Sequence, residues 1–181
     1  MSSPNVSGQA YGFLAMTPIK PGEEEPLRTY LDGFRDRGER PLEKVAGTHM
    51  ARFVMVPDFH HDKKWRQRKE EHLAIPTLIF SSNLDGDIDS YLDRLAEGMA
   101  EHVAEIWGRC VGGPHDAKGL KAYLKHNQID CGFFYAAYGE ATVPKVKASL
   151  AQRDKLMDFA TRSQGMKPAE LQQAFIKEFA S

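Results

Sequence analysis

Cysteine is scarce in this chain, with only Cys110 and Cys131 in 181 residues. Two thiols cannot build a disulfide framework. Both read as small reduced hydrophobes, Cys110 at the end of a helix and Cys131 inside a strand. An excess of one charge is also missing: 24 Lys and Arg stand against 25 Asp and Glu, a formal net charge of −1. That balance argues against the phosphate-neutralising surface of a nucleic-acid binder. No apolar run approaches the ~20 residues of a membrane span. The opening MSSPNVSGQ has neither the basic stretch nor the apolar core of a signal peptide, so cytoplasmic residence is the expectation. Asn5-Val6-Ser7 matches a glycosylation acceptor and is read as a chance match. There is no phosphate loop, nucleophile elbow or dinucleotide fingerprint. Gly112-Gly113-Pro114 reads as a helix stop, not a cradle.

The seven histidines, at 49, 60, 61, 72, 102, 115 and 126, include no pair three to five residues apart. No helical pair of metal ligands follows, and no metal is expected. Glu97, Glu101 and Glu105 repeat every four residues and read as the solvated face of a helix. Asp85, Asp87 and Asp89 lack the downstream glutamate of a calcium loop; a turn and a helix N-cap at Asp87 account for them.

What the chain does have is four short runs that are apolar on both strand faces: AYGFLAMTPI from Ala10, THMARFVMV from Thr48, PTLIFSS from Pro76 and DCGFFYAAY from Asp130. Helix-period segments separate them. One runs over 21–37, with Leu27, Tyr30, Leu31 and Phe34 as its stripe. Another runs over 88–109, with Ile88, Leu92, Leu95, Met99, Val103 and Ile106. The resulting order, strand-helix-strand-strand-helix-strand, predicts an α+β, ferredoxin-like βαββαβ domain with a four-stranded antiparallel sheet. A short helix is expected over 117–127. C-terminal helices follow over 143–162, capped by Thr142, and over 168–179. The division expected is a disordered lead at 1–9, a domain over 10–162 and a helical extension over 163–181. The connection over 58–72 is long and very polar. It is expected to be a solvated loop with Trp65 as its one large anchor, or a lid over the sheet.

The runs HMARFVMV, LIFSSNLDGD and CGFFYAAYG resemble a family of poorly characterised bacterial ferredoxin-like proteins, over roughly residues 10–160. The layout is also similar to that of dimeric α+β barrel proteins. These include small monooxygenases, chlorite-dismutase-like haem proteins and dye-decolourising peroxidases. The peroxidases carry a Gly-x-x-Asp-Gly motif; the matching stretch here is Ser82-Asn83-Leu84-Asp85-Gly86, with serine in place of the first glycine. The resemblance implies a small oxidoreductase-like or ligand-binding protein holding an apolar or aromatic molecule, haem among the candidates, against its sheet.

In a ferredoxin-like domain helices cover one sheet face, so the second apolar face needs a partner chain, an added helix or a ligand. A homodimer, or a cover by the C-terminal helices, is therefore expected. The candidate ligand-binding residues are His49, Arg52 and Tyr135. His49 and Arg52 interrupt an apolar strand expected to lie inside the sheet, where an unpaired charge is costly. In a regular strand the two point to opposite faces. Tyr135 and Tyr138 read as cavity hydroxyls or core tyrosines. The competing reading is a non-catalytic interaction module.

Overall fold

The computed structural model describes residues 3–58 and 72–179. Two compact units divide the chain, Met1–Val143 and Pro144–Ser181. The boundary falls just after the first residue of the helix Val143–Arg162.

The first unit is an α+β domain on a four-stranded antiparallel sheet. Its strands are β1 (Val6–Ser7), β2 (Ala10–Pro18), β3 (Thr48–Val56) and β4 (Thr77–Asp85), in the spatial order β1-β2-β4-β3. Helix α1 (Glu24–Asp36) follows β2. After β4 come α2 (Ile88–Gly98), α3 (Val103–Ile106) and α4 (Ala117–His126). The predicted helix over 88–109 keeps its buried stripe, but short 3-10 turns at Ala100–His102 and Trp107–Arg109 interrupt it. Asp87 caps α2 as expected, accepting the Ser90 N–H at 2.8 Å. Asp116 does the same for α4.

The three long strands lie where their alternation predicts. The fourth does not. Residues 130–138 form no strand, because the edge of β2 they would occupy is already filled. Val6 and Ser7 pair with Tyr11 and Ala10. Further along, the Met16 N–H donates to Asn127 and the Ile129 N–H donates to Leu14, with a bridge between Ala15 and Gln128. The part of the lead from residue 3 onward is therefore ordered rather than disordered, and it supplies the short fourth strand. The displaced segment is held instead by side chains. The Cys131 N–H reaches Asn5 Oδ1 at 2.6 Å, and the Ala136 N–H reaches Ser7 Oγ at 3.1 Å. Cys131 accordingly lies outside any strand, while Cys110 is buried; both are free thiols.

One face of the sheet carries the core. Tyr11, Phe13 and Ala15 of β2 and Leu78, Phe80 and Leu84 of β4 meet Leu27 of α1, Leu92 and Leu95 of α2, and Leu120 and Leu124 of α4. Trp107 is fully buried, its ring nearly perpendicular to Phe80 at 5.7 Å and tilted against Phe53 at 5.7 Å. Its indole N–H has no hydrogen-bond partner among the described residues. Tyr91 is buried with its hydroxyl 2.7 Å from Ser82 Oγ and 3.2 Å from Thr48 Oγ1, and burial pushes its pKa up.

The polar connection between β3 and β4, with Trp65, lies at 59–71, outside the described residues. Its two ends are clipped together: Asp58 bonds His72 Nδ1 at 2.7 Å and accepts the Leu73 N–H at 2.7 Å.

Candidate functional site

The other face of the sheet is the candidate site. Register sets its side chains in rows across β2, β4 and β3. Gly12 stands beside Asn83 and Met50, Leu14 beside Ser81 and Arg52, Met16 beside Ile79 and Val54, and Pro18 beside Thr77 and Val56. Two-residue alternation puts all of them opposite the core residues. The rows are apolar at one end and polar at the other. Met50 is 72% exposed, and Met16 and Val54 are also exposed. A shallow depression of about 290 Å³ opens here, lined by Met50, Ala51, Arg52, Ser81 and Asn83.

Arg52 belongs to the row of Leu14 and Ser81, on an edge strand rather than inside the sheet. It is exposed, which removes the burial cost expected from the sequence. Among the described residues its guanidinium has neither an ion-pair partner nor a hydrogen-bond acceptor. It is therefore free to hold an anion, and its planar fork suits a carboxylate or sulfonate.

His49 is set by a β-bulge. Thr48 pairs with Leu84 and Met50 with Asn83, so His49 has no partner in the ladder. The extra residue breaks strict alternation, and the rule that placed His49 and Arg52 on opposite faces no longer applies. The His49 ring lies 2.6 Å from Asp85 Oδ1. Asp85 has the same parity in β4 as Ser81 and Asn83. Its second oxygen accepts the Val143 N–H at 2.7 Å, so this carboxylate, rather than the expected Thr142, serves the first turn of the following helix. The carboxylate thereby joins three separate parts of the unit: the bulge, the end of β4 and the entry to the helix.

Tyr135 is not brought to these groups. It is 71% exposed on the segment beside β1 and β2, across the width of the sheet from β3, and makes no hydrogen bond among the described residues. Tyr138 is exposed as well, so neither is a core or cavity tyrosine. The neighbouring Phe134 does reach the site's edge. Its ring covers Gly12 so closely that a Cβ there would sit 2.8 Å from a ring carbon. That contact explains a glycine in mid-strand.

The acidic residues weighed in the sequence have separate partners. Asp87 caps α2, Asp89 pairs with Lys125 at 2.8 Å, and Asp85 holds His49. Glu105 is engaged by Arg109, which also pairs with Glu23. Sequence reasoning missed Ser81, Asn83 and Asp85 as site residues. Their signal was present in the alternation of TLIFSSNLD, where every second residue from Thr77 shares a face.

No protein-family profile, no curated protein and no solved structure matches this chain. Among the described residues no helix is long and apolar enough to cross a membrane.

Proposed function

We propose that this protein binds a small apolar or aromatic molecule carrying an acidic group, laid against the open face of its sheet. The observation that carries this reading is Arg52, a guanidinium unpaired among the described residues and set on the edge strand of a mostly apolar face. Leu14, Met16, Ile79 and Val54 offer a flat apolar bed. Ser81 and Asn83 add hydrogen-bonding groups, and Arg52 fixes the acidic end. Pockets of this kind combine apolar area with a few polar groups that set orientation. The exposure of Met16, Met50 and Val54 on this face supports the same reading. Haem, a flat apolar ring with two carboxylates, fits this chemistry, and an oxidoreductase-like role belongs to that version alone. In dimeric α+β barrels two such faces close on each other. Here that closure is less favoured, because it would bury two guanidinium groups that are unpaired among the described residues.

The test uses an anionic naphthalene dye and haem as probes. Dye fluorescence should rise on binding to the full chain. Arg52→Met should weaken binding roughly tenfold, the order expected for a lost charge-assisted contact. Equal affinity in the variant would overturn the assignment of Arg52. Absence of a Soret band with added haem would remove the haem version.

A second reading, an interaction module, draws on Phe133, Tyr135 and Tyr138, which are between 71% and 84% exposed. Failure of every probe to bind would favour it.

A further inference from the structure

The second unit consists of α5 (Val143–Arg162), after its first residue, and α6 (Pro168–Phe179). The two helices meet through an aromatic cluster. Phe159 lies 5.8 Å from Phe175 and 5.5 Å from Phe179, with Phe175 and Phe179 4.8 Å apart. Lys155 lies over the Phe179 ring, and Arg162 pairs with Glu178. Beyond this cluster the unit buries little. Of the 20 residues of α5 only Phe159 is buried, and Ser163 follows just after the helix. A helical hairpin below about 40 residues does not ordinarily sustain itself without a partner.

The uncovered side of α5 has a definite pattern. Val146, Leu150 and Met157 follow one another at helical spacing and are 39%, 45% and 62% exposed. Leu150 precedes Phe159 by about two and a half turns, which puts this stripe on the side of α5 away from α6. At its midpoint stand Arg153 and Asp154, bound to each other at 2.7 Å and both 65% exposed. The stripe is self-complementary about that midpoint. If a two-fold axis passes between these two residues, Leu150 meets the partner's Met157, Arg153 meets the partner's Asp154, and Val146 meets the partner's Thr161.

We infer that α5 pairs antiparallel with α5 of a second copy of this chain, making the protein a homodimer through its C-terminal unit. The match of charge to opposite charge at Arg153 and Asp154, and of apolar to apolar at Leu150 and Met157, under one two-fold operation points to the same surface as the occupant. Each helix then covers the stripe of the other, and the Arg153–Asp154 contact is exchanged for two equivalent contacts across the axis. This inference is independent of the ligand proposed for the sheet.

The test is the oligomeric state of the full chain by size-exclusion chromatography with light scattering. The wild type should be a dimer. Leu150→Lys combined with Met157→Lys should give a monomer that keeps the aromatic circular dichroism of the sheet domain, while the hairpin, deprived of its partner, loses part of its helical signal. Arg153→Asp alone, and Asp154→Arg alone, should each weaken the dimer roughly tenfold, and the two together should restore it. Leu150→Cys with Met157→Cys should form chain-to-chain disulfides on mild oxidation, while the wild type, with its own two cysteines, should not. A monomeric wild type, a dimer that survives the double lysine variant, or a cysteine pair that does not cross-link would each overturn the inference.

Discussion

Asn5 is 1% exposed, and both ends of its amide are used. Nδ2 donates to Asp130 at 2.7 Å and to the Tyr11 hydroxyl at 3.3 Å, while Oδ1 accepts the Cys131 N–H at 2.6 Å. One side chain thus joins the N-terminal lead, β2 and the displaced segment. Its place in a glycosylation pattern is without consequence for the folded chain, since a buried and fully bonded amide is inaccessible. Asn5→Ala leaves the Cys131 N–H and the Asp130 carboxylate short of partners, and unmade bonds of this kind cost about 2 kcal/mol. The expected outcome is a lower urea midpoint with an unchanged slope. A midpoint equal to wild type would show that water replaces the amide. Nothing in the sequence marks Asn5 as buried. It lies in a small, polar stretch, and two of its partners, Asp130 and Cys131, sit more than a hundred residues away.

At the scale of elements, the bulge in β3 and the carboxylate of Asp85 act together. Without the bulge, His49 would continue the alternation of the strand. With it, the ring meets Asp85, and Asp85 also holds the first N–H of α5. Asp85→Ala should therefore act at two distant places. It should lower stability by about 1–2 kcal/mol and speed hydrogen exchange at the Val143 amide, whereas His49→Ala should leave that amide nearly unchanged. Equal exchange at Val143 in wild type and Asp85→Ala would show that the contact does not hold the helix entry. The sequence showed Asp85 as a turn residue before Gly86, and the turn is there, with Gly86 at a φ of 76°. What it did not show was the side chain's partners, because a bulge shifts the face of a residue without altering the composition of the strand.

For the whole molecule, the buried cluster of the sheet domain runs from Tyr11 to Leu124 and includes no residue of the C-terminal unit. A chain ending at Val143 should therefore keep a cooperative thermal transition and its aromatic circular dichroism signal, while losing the ability to self-associate. A molten, non-cooperative transition in that truncated chain would show that the sheet domain depends on the helices beyond it. The same scale decides the role of the C-terminal helices. Their amphipathic residues were legible as helix, but which side of α5 meets α6 depends on where the hairpin turns.

The sequence by itself determined the α+β class, the three long strands, the stripe of Leu92, Leu95, Met99, Val103 and Ile106, and the N-cap at Asp87. These follow from periods of two and 3.6 residues and from capping chemistry, which are local properties of the chain. It also marked Arg52 as an unusual residue in an apolar strand. Only the tertiary structure decided that residues 130–138, strand-like in composition, are not a strand. A sheet edge accepts one neighbour, and Val6–Ser7 with Asn127 to Ile129 take that place first. The same competition left Tyr135 far from Arg52, because hydrogen-bonded position, and not side-chain preference, settles which segments lie side by side.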